Sequence, residues 1–158
     1  MEYIQLKKSN VQRFGIMTED GVDTGEYIEI DLEDIELPFR INDCEKQHRE
    51  NVRELKNQFI IIEKKQDHKG ENLMSANEEE KLKALREFYK KEEQALDLFL
   101  GEGGTRKLLN GRKPYYSMYD DINEMLKPIL PTLEKATNNL TESIKAKYKT
   151  NKEEGNVL

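Results

Sequence analysis

The sequence predicts a mainly α fold carrying a small N-terminal β-hairpin, an α+β chain whose three principal amphipathic helices and one short helix form a bundle. Three observations carry that prediction. In "EYIEIDL", Ile28, Ile30 and Leu32 alternate with Glu29 and Asp31, the period of two that divides a strand into an apolar and a charged face. From Pro38 onward, apolar residues recur instead at spacings of three and four. Between the helical stretches, glycines cluster where a chain must reverse or stop.

The hairpin comes first. "NVQRFGIMT" and "EYIEIDL" flank the turn-rich "EDGVDTG", where Gly21 and Gly25 supply the positive φ a hairpin loop needs. "YIQL" is a candidate for a short third strand. An isolated pair of strands is marginal in water, so the apolar face must lie on the helices or on a neighbouring subunit. The chain therefore reads as a hairpin element over 1–37, a helical domain over 38–149 and a flexible tail over 150–158.

Proline suits a first helical turn, and the preceding Asp31, Glu33, Asp34 and Glu36 favour the positive end of a helix dipole. Ile41, Cys44, His48, Val52, Leu55, Phe59 and Ile62 then form one stripe of a long helix, which "QDHKGEN" breaks at Gly70. Ser75 with Glu78 three residues on is a capping box, and Leu82, Leu85, Tyr89, Leu96 and Phe99 give the next stripe, with Phe88 and Ala95 alongside. Gly101 is placed as a left-handed cap, and "TRKLLN" reads as a short helix closed by Gly111. The last helix starts near Ser117, with Ile122, Leu126, Ile129, Leu133, Ala136, Leu140 and Ile144 on its stripe. Pro128 and Pro131 fall within it and predict a kink or a division into two helices.

Composition narrows the function classes. Charged residues make up 37% and the hydrophobic set 35%, so the core is modest and self-association would help to bury the rest. Residues 1–37 carry three cations and ten anions, and the remainder is close to neutral. No continuous basic face appears, which argues against nucleic acid as a partner. The longest purely apolar run is "FIII", too short for a membrane span. A single cysteine and the absence of a signal-peptide pattern point to the cytoplasm.

Candidate chemistry is sparse. "GEGGTRK" lacks the Gly-Lys-Ser/Thr of a phosphate loop, and in G-x-G-x-x-G the last position is Arg106. Cys44 and His48, four apart, share a helix face, yet the other ligands a zinc site requires are not in sight. No nucleophilic triad or carboxylate pair stands out, so no catalytic residue, metal or cofactor is assigned and no enzymatic activity is expected. Tyr115, Tyr116 and Tyr119 beside Arg112 match the residue types enriched at protein interfaces, and three tyrosines within five residues cannot all face inward.

The phrase "ALDLFLGEGGTRKLLNGRKPYYSMYDDINEMLKPILPTLEK", with the acidic strand before the first helix, resembles the tail assembly chaperones of long-tailed phages and prophages of Gram-positive bacteria. In those proteins a helix ends in a phrase of the form D-x-x-F-G-E-G-x-x-x-K-[IL]-F/L-x-G-R, followed by an aspartate-containing helix. The matching positions are Asp97, Gly101, Glu102, Gly103, Lys107, Leu108, Gly111 and Arg112, then Asp120 and Asp121. Phe99-Leu100 departs from the phenylalanine usual directly before the first glycine. The resemblance implies a non-catalytic protein of the bacterial host cytoplasm that binds the tape-measure protein, keeps it soluble and recruits tail-tube subunits. The expected contact residues are Gly101, Glu102, Gly103, Lys107, Leu108, Gly111, Arg112, Tyr115, Tyr116 and Tyr119. Two other functions remain open: a phage adaptor retained in the virion, and a small nucleotide- or metal-dependent enzyme.

Overall fold

The structure is a computed structural model that describes residues 1–149; the expected tail over 150–158 lies outside the described residues. The chain is mainly α with a two-stranded N-terminal hairpin, as the two periodicities predict. It divides into two compact units. One comprises Met1–Pro38 with the residues from Ser117 onward, and the other is Phe39–Tyr116.

In the first unit, β1 (Val11–Met17) and β2 (Asp23–Asp31) pair antiparallel, with Phe14 opposite Ile28 and Gln12 opposite Ile30. Ile28 and Ile30 are buried and Leu32 half-buried, so the apolar face falls where the alternation puts it. On the other face Arg13 donates to Glu29 at 2.6 Å and lies 4.7 Å from the centre of the Tyr27 ring. The reversal is held by Thr18, whose amide donates to Val22 O at 2.8 Å and whose carbonyl accepts from Gly21 N at 2.9 Å. Gly21 takes the positive φ of this turn. Gly25 also has positive φ, but inside β2 rather than in the loop. There the register shifts between Gly15 and Met17, and Asp23 Oδ1 accepts from the Gly25 amide at 2.8 Å. The second glycine thus serves an irregularity of the strand.

The third strand expected at "YIQL" does not form: residues 1–10 carry no strand or helix and are exposed throughout. Tyr3 and Ile4 are adjacent, so in a strand they would point to opposite faces, and nothing in the described residues pairs with them.

The C-terminal part of this unit is α4 (Met118–Leu126), a 3-10 turn (Lys127–Ile129) and α5 (Leu130–Lys147). The two prolines therefore divide the long stripe into two helices. Pro128 lies in the tight turn and Pro131 in the first turn of α5, where a missing N–H costs nothing. Met118, Ile122, Leu126 and Leu133 are buried, whereas Ile144 is about half exposed.

The second unit is a helical hairpin with a short appended helix. α1 (Leu37–Glu63) enters it from Phe39 and runs antiparallel to α2 (Ala76–Leu100), which leads into α3 (Gly104–Leu109). Ion pairs mark the register: Glu54 with Lys91 at 2.8 Å, Glu63 with Lys81 at 2.9 Å and Lys65 with Glu80 at 3.2 Å. These pairs are solvent-exposed to varying degrees, and each is worth at most about 1 kcal/mol. Ser75 caps α2 as its sequence predicts, its side chain accepting from Glu78 N at 3.1 Å. In the connecting loop Asp67 accepts from the amide of Asn77 at 3.0 Å, and that bond, with one from Ser75, holds its carboxyl below the usual range. Leu82 departs from its expected place on the stripe and is half exposed, because the inward line at this end of α2 runs through Lys81, Ala84 and Leu85.

Between the two long helices lies a polar cluster that periodicity does not announce. Glu92 has no exposed surface. Its carboxylate accepts from Asn51 Nδ2 at 2.9 Å and meets His48 Nδ1 at 2.6 Å. Asn51, also buried, accepts in turn from Gln47 Nε2 at 2.8 Å. Every buried side-chain polar atom among the described residues has a partner. Removing the carboxylate strands the Asn51 amide and opens a cavity, so Glu92→Ala should destabilise the chain by about 3 kcal/mol. Glu92→Gln, which keeps an acceptor for Asn51, should cost clearly less. Urea denaturation of the two variants checks the order.

Candidate functional site

The glycine-rich stretch becomes a knuckle at the end of α2, and one carboxylate organises it. Asp97, three residues before the helix ends, reaches forward across the turn. Its Oδ2 accepts from the Gly103 amide at 3.2 Å. Its Oδ1 accepts from the Thr105 amide at 2.9 Å and from the Thr105 hydroxyl at 2.7 Å. Thr105 is fully buried and also donates weakly to Glu93 O at 3.4 Å. One turn back, Glu93 takes Arg106 in a fork, with Nε at 2.6 Å and Nη2 at 3.1 Å. Two carboxylates of α2 thus hold the start of α3. The amides of Gly101, Gly103 and Thr105 already donate to Asp97, and that of Gly104 to Gly101 O.

The glycines differ in what they do. Gly101 does not take the left-handed cap expected of it. Its φ of 88° and ψ of 164° lie in a region essentially reserved for glycine, while its amide still donates to Asp97 O at 3.0 Å. The left-handed conformation falls two residues later, at Gly103, with φ 75° and ψ 2°. α3 is closed by Asn110, itself left-handed, and Gly111 comes next with φ 82°. None of the three glycines has a heavy atom near the place a Cβ would occupy, so only the backbone demands them.

The remaining candidate residues spread over this surface. Glu102 is exposed, and Lys107 and Leu108 are half-buried. Arg112 stacks 3.5 Å from the centre of the half-buried Tyr115 ring, a cation–π contact that leaves the guanidinium edge to solvent. Tyr116 is 90% exposed, and Tyr89 of α2 has its hydroxyl pKa raised by burial, with Tyr116 adding to the effect. Tyr119 lies in the other compact unit, so the three tyrosines do not belong to one body.

Cys44 and His48 both lie on α1; His48 meets Glu92 and Cys44 is a buried free thiol. Burial pushes the Cys44 thiol up to about 11, and the carboxylates of Glu92 and Glu45 push the same way. Among the described residues no group of three or more His, Cys, Asp or Glu side chains is placed to hold a metal ion.

Sequence reasoning missed a second surface. At the loop end of the α1–α2 pair a shallow groove of about 320 Å³ is lined by Gln58, Ile61, Ile62, Lys83, Ala84 and Glu87. Ile61 is 58% exposed at its rim, and Ile60 and Leu82 on the same helices are about half exposed. The available signal was "FIII": four apolar residues in succession cannot all fit one helical stripe.

Comparison with protein families, with curated proteins and with solved structures found no match to this chain.

The local geometry sets two expected outcomes. Asparagine tolerates the left-handed region, so Gly103→Asn should be close to neutral. Gly101→Asn should lose about 1–3 kcal/mol, read by chemical denaturation, because its ψ admits no side chain comfortably. At pH 8 a thiol of pKa about 11 is ionised to the order of one part in a thousand. Cys44 should therefore resist maleimide in the native state and react quickly once urea unfolds the chain.

Proposed function

We propose that this chain is a non-catalytic binding protein of the tail-assembly-chaperone kind, whose client is the tape-measure protein and which also engages tail-tube subunits. The observation that carries the reading is the groove at the loop end of α1 and α2, where Ile61 stands more than half exposed among aliphatic and charged side chains. An open apolar floor edged by Lys83 and Glu87 suits one face of an amphipathic helix. The tape-measure client of such chaperones is long and helical, so it offers that face repeatedly. The phage assignment itself rests on the resemblance carried by Asp97–Arg112. The knuckle gives that phrase a physical reason: Asp97 binds the turn that Gly101 and Gly103 permit.

In this reading the groove takes the client helix, and the knuckle presents Glu102, Arg112 and Tyr116 to a second protein. The charged remainder of the surface keeps the loaded complex in solution. Binding by exposed aliphatic side chains is reversible by competition, as displacement during tube growth requires.

The test is co-purification with a soluble helical fragment of a phage tape-measure protein. Ile61→Glu should cut recovery at least tenfold while leaving the circular dichroism spectrum and melting temperature unchanged, since Ile61 is exposed. Failure of the wild-type chain to retain either the fragment or the tube protein, with all components folded, would overturn the reading. Mass spectrometry of purified virions tests the adaptor alternative, which requires the chain to remain in the particle at stoichiometric copy number.

A further inference from the structure

The leading segment and the hairpin together point to a contact between copies. Residues 1–10 form no regular structure and contain no turn, and Tyr3, Ile4 and Leu6 are each more than 85% exposed. Three large apolar side chains lie within four residues, beside Lys7 and Lys8. The segment is still aligned with its own hairpin at Asn10, whose carbonyl accepts from the Leu32 amide at 3.2 Å. Before Asn10 it passes beyond the end of β2 with no strand beside it. Without a reversal it cannot return to an edge of its own sheet.

That sheet has only two strands, so neither outer edge is paired with a further strand among the described residues. Unpaired edges are templates for strand addition. The charges also match. From Val11 to Leu37 the chain carries one cation and nine carboxylates, and Asp23, Glu26, Glu29 and Asp31 are exposed along β2. The leading segment carries two cations and one anion. Past the end of β2, Asn10 and Leu32 open onto a groove of about 630 Å³ whose far wall on α5 includes Thr132, Ala136 and Leu140. An added strand running off the edge of β2 would meet apolar cover there.

We propose that the segment Tyr3–Lys8 of one copy adds as a third strand to the outer edge of β2 in a second copy. Main-chain hydrogen bonds supply an antiparallel pairing with Leu6 opposite Ile30; Lys7 then lies beside Glu29 and Asp31 on the charged face, and Ile4 and Leu6, on the face of Ile28 and Ile30, run toward the groove beside Leu32. The contact uses the first compact unit alone and is independent of client binding at α1 and α2.

Sedimentation velocity from low to high micromolar protein tests this, with the full-length chain throughout. The wild-type chain should self-associate, and the association should weaken as salt is raised. Ile4→Asp with Leu6→Asp should shift it to monomer without changing its helical content or melting temperature, because both residues are exposed in the single chain. An equimolar mixture of Lys7→Cys and Glu29→Cys single variants should form a mixed disulfide in preference to either homodimer. A wild-type chain that stays monomeric overturns the proposal. So does a dimer that survives the double aspartate variant, which places the contact elsewhere, and so does a mixture that yields only homodimers.

Discussion

A carboxylate with no access to water stands between the two longest helices, and the packing of that unit has to satisfy it. Glu92 can be accommodated only while Asn51 donates to one oxygen and His48 sits against the other. Sliding α1 against α2 by one turn would leave the Glu92 carboxylate and the Asn51 amide nitrogen without each other inside a dry interface. Each would cost more than an exposed ion pair returns. The cluster therefore sets register, whereas the flanking pairs at Glu54, Glu63 and Lys65 merely agree with it. Buried polar groups that discriminate between otherwise similar helix alignments are the best-attested use of such an arrangement. In a chain with so few apolar residues, this specificity matters more than usual.

The same logic of internal satisfaction explains the glycine-rich turn. A loop of this kind gathers backbone amides, and gathered amides attract an anion. Here the anion is Asp97, from the helix the loop has just left. The turn is consequently a closed structural joint. Among the groups still facing outward on the knuckle are Tyr116 and the guanidinium stacked on Tyr115.

Much of the architecture is legible in the sequence because it depends on local periodicity. The alternation at Ile28 and Ile30, the cap at Ser75 and the division at Pro128 and Pro131 each obey a single physical rule acting over a few residues. The departures share a different character. Residue type alone puts Gly25 in a loop and Gly101 in a left-handed cap, but their roles depend on which neighbouring amide and carbonyl needs a partner. Glu92 escapes a sequence reading because a charged residue is assumed to face water. Yet the stripe Leu85, Tyr89, Leu96, Phe99 has a gap at position 92 that geometry requires to point inward. Of the candidate contact residues, those from Gly101 to Tyr116 lie in the unit that carries the knuckle, while Tyr119 lies in the other. The groove at Ile61 needs the second helix to be in place before it exists at all.

The division of the chain carries an implication for its synthesis. Phe39–Tyr116 is an uninterrupted stretch, whereas its companion unit is assembled from pieces on either side of it. A ribosome releases the inserted stretch whole, and its two long helices follow one another in the chain, joined through residues 64–75. It is therefore suited to fold while translation continues. The segment Met1–Pro38 emerges earlier but must wait for Ser117 and the helices beyond it before its unit can close. Met1–Pro38 is thus made before the inserted stretch yet finds its place after it, and for that interval its strands lack the helices that complete their unit.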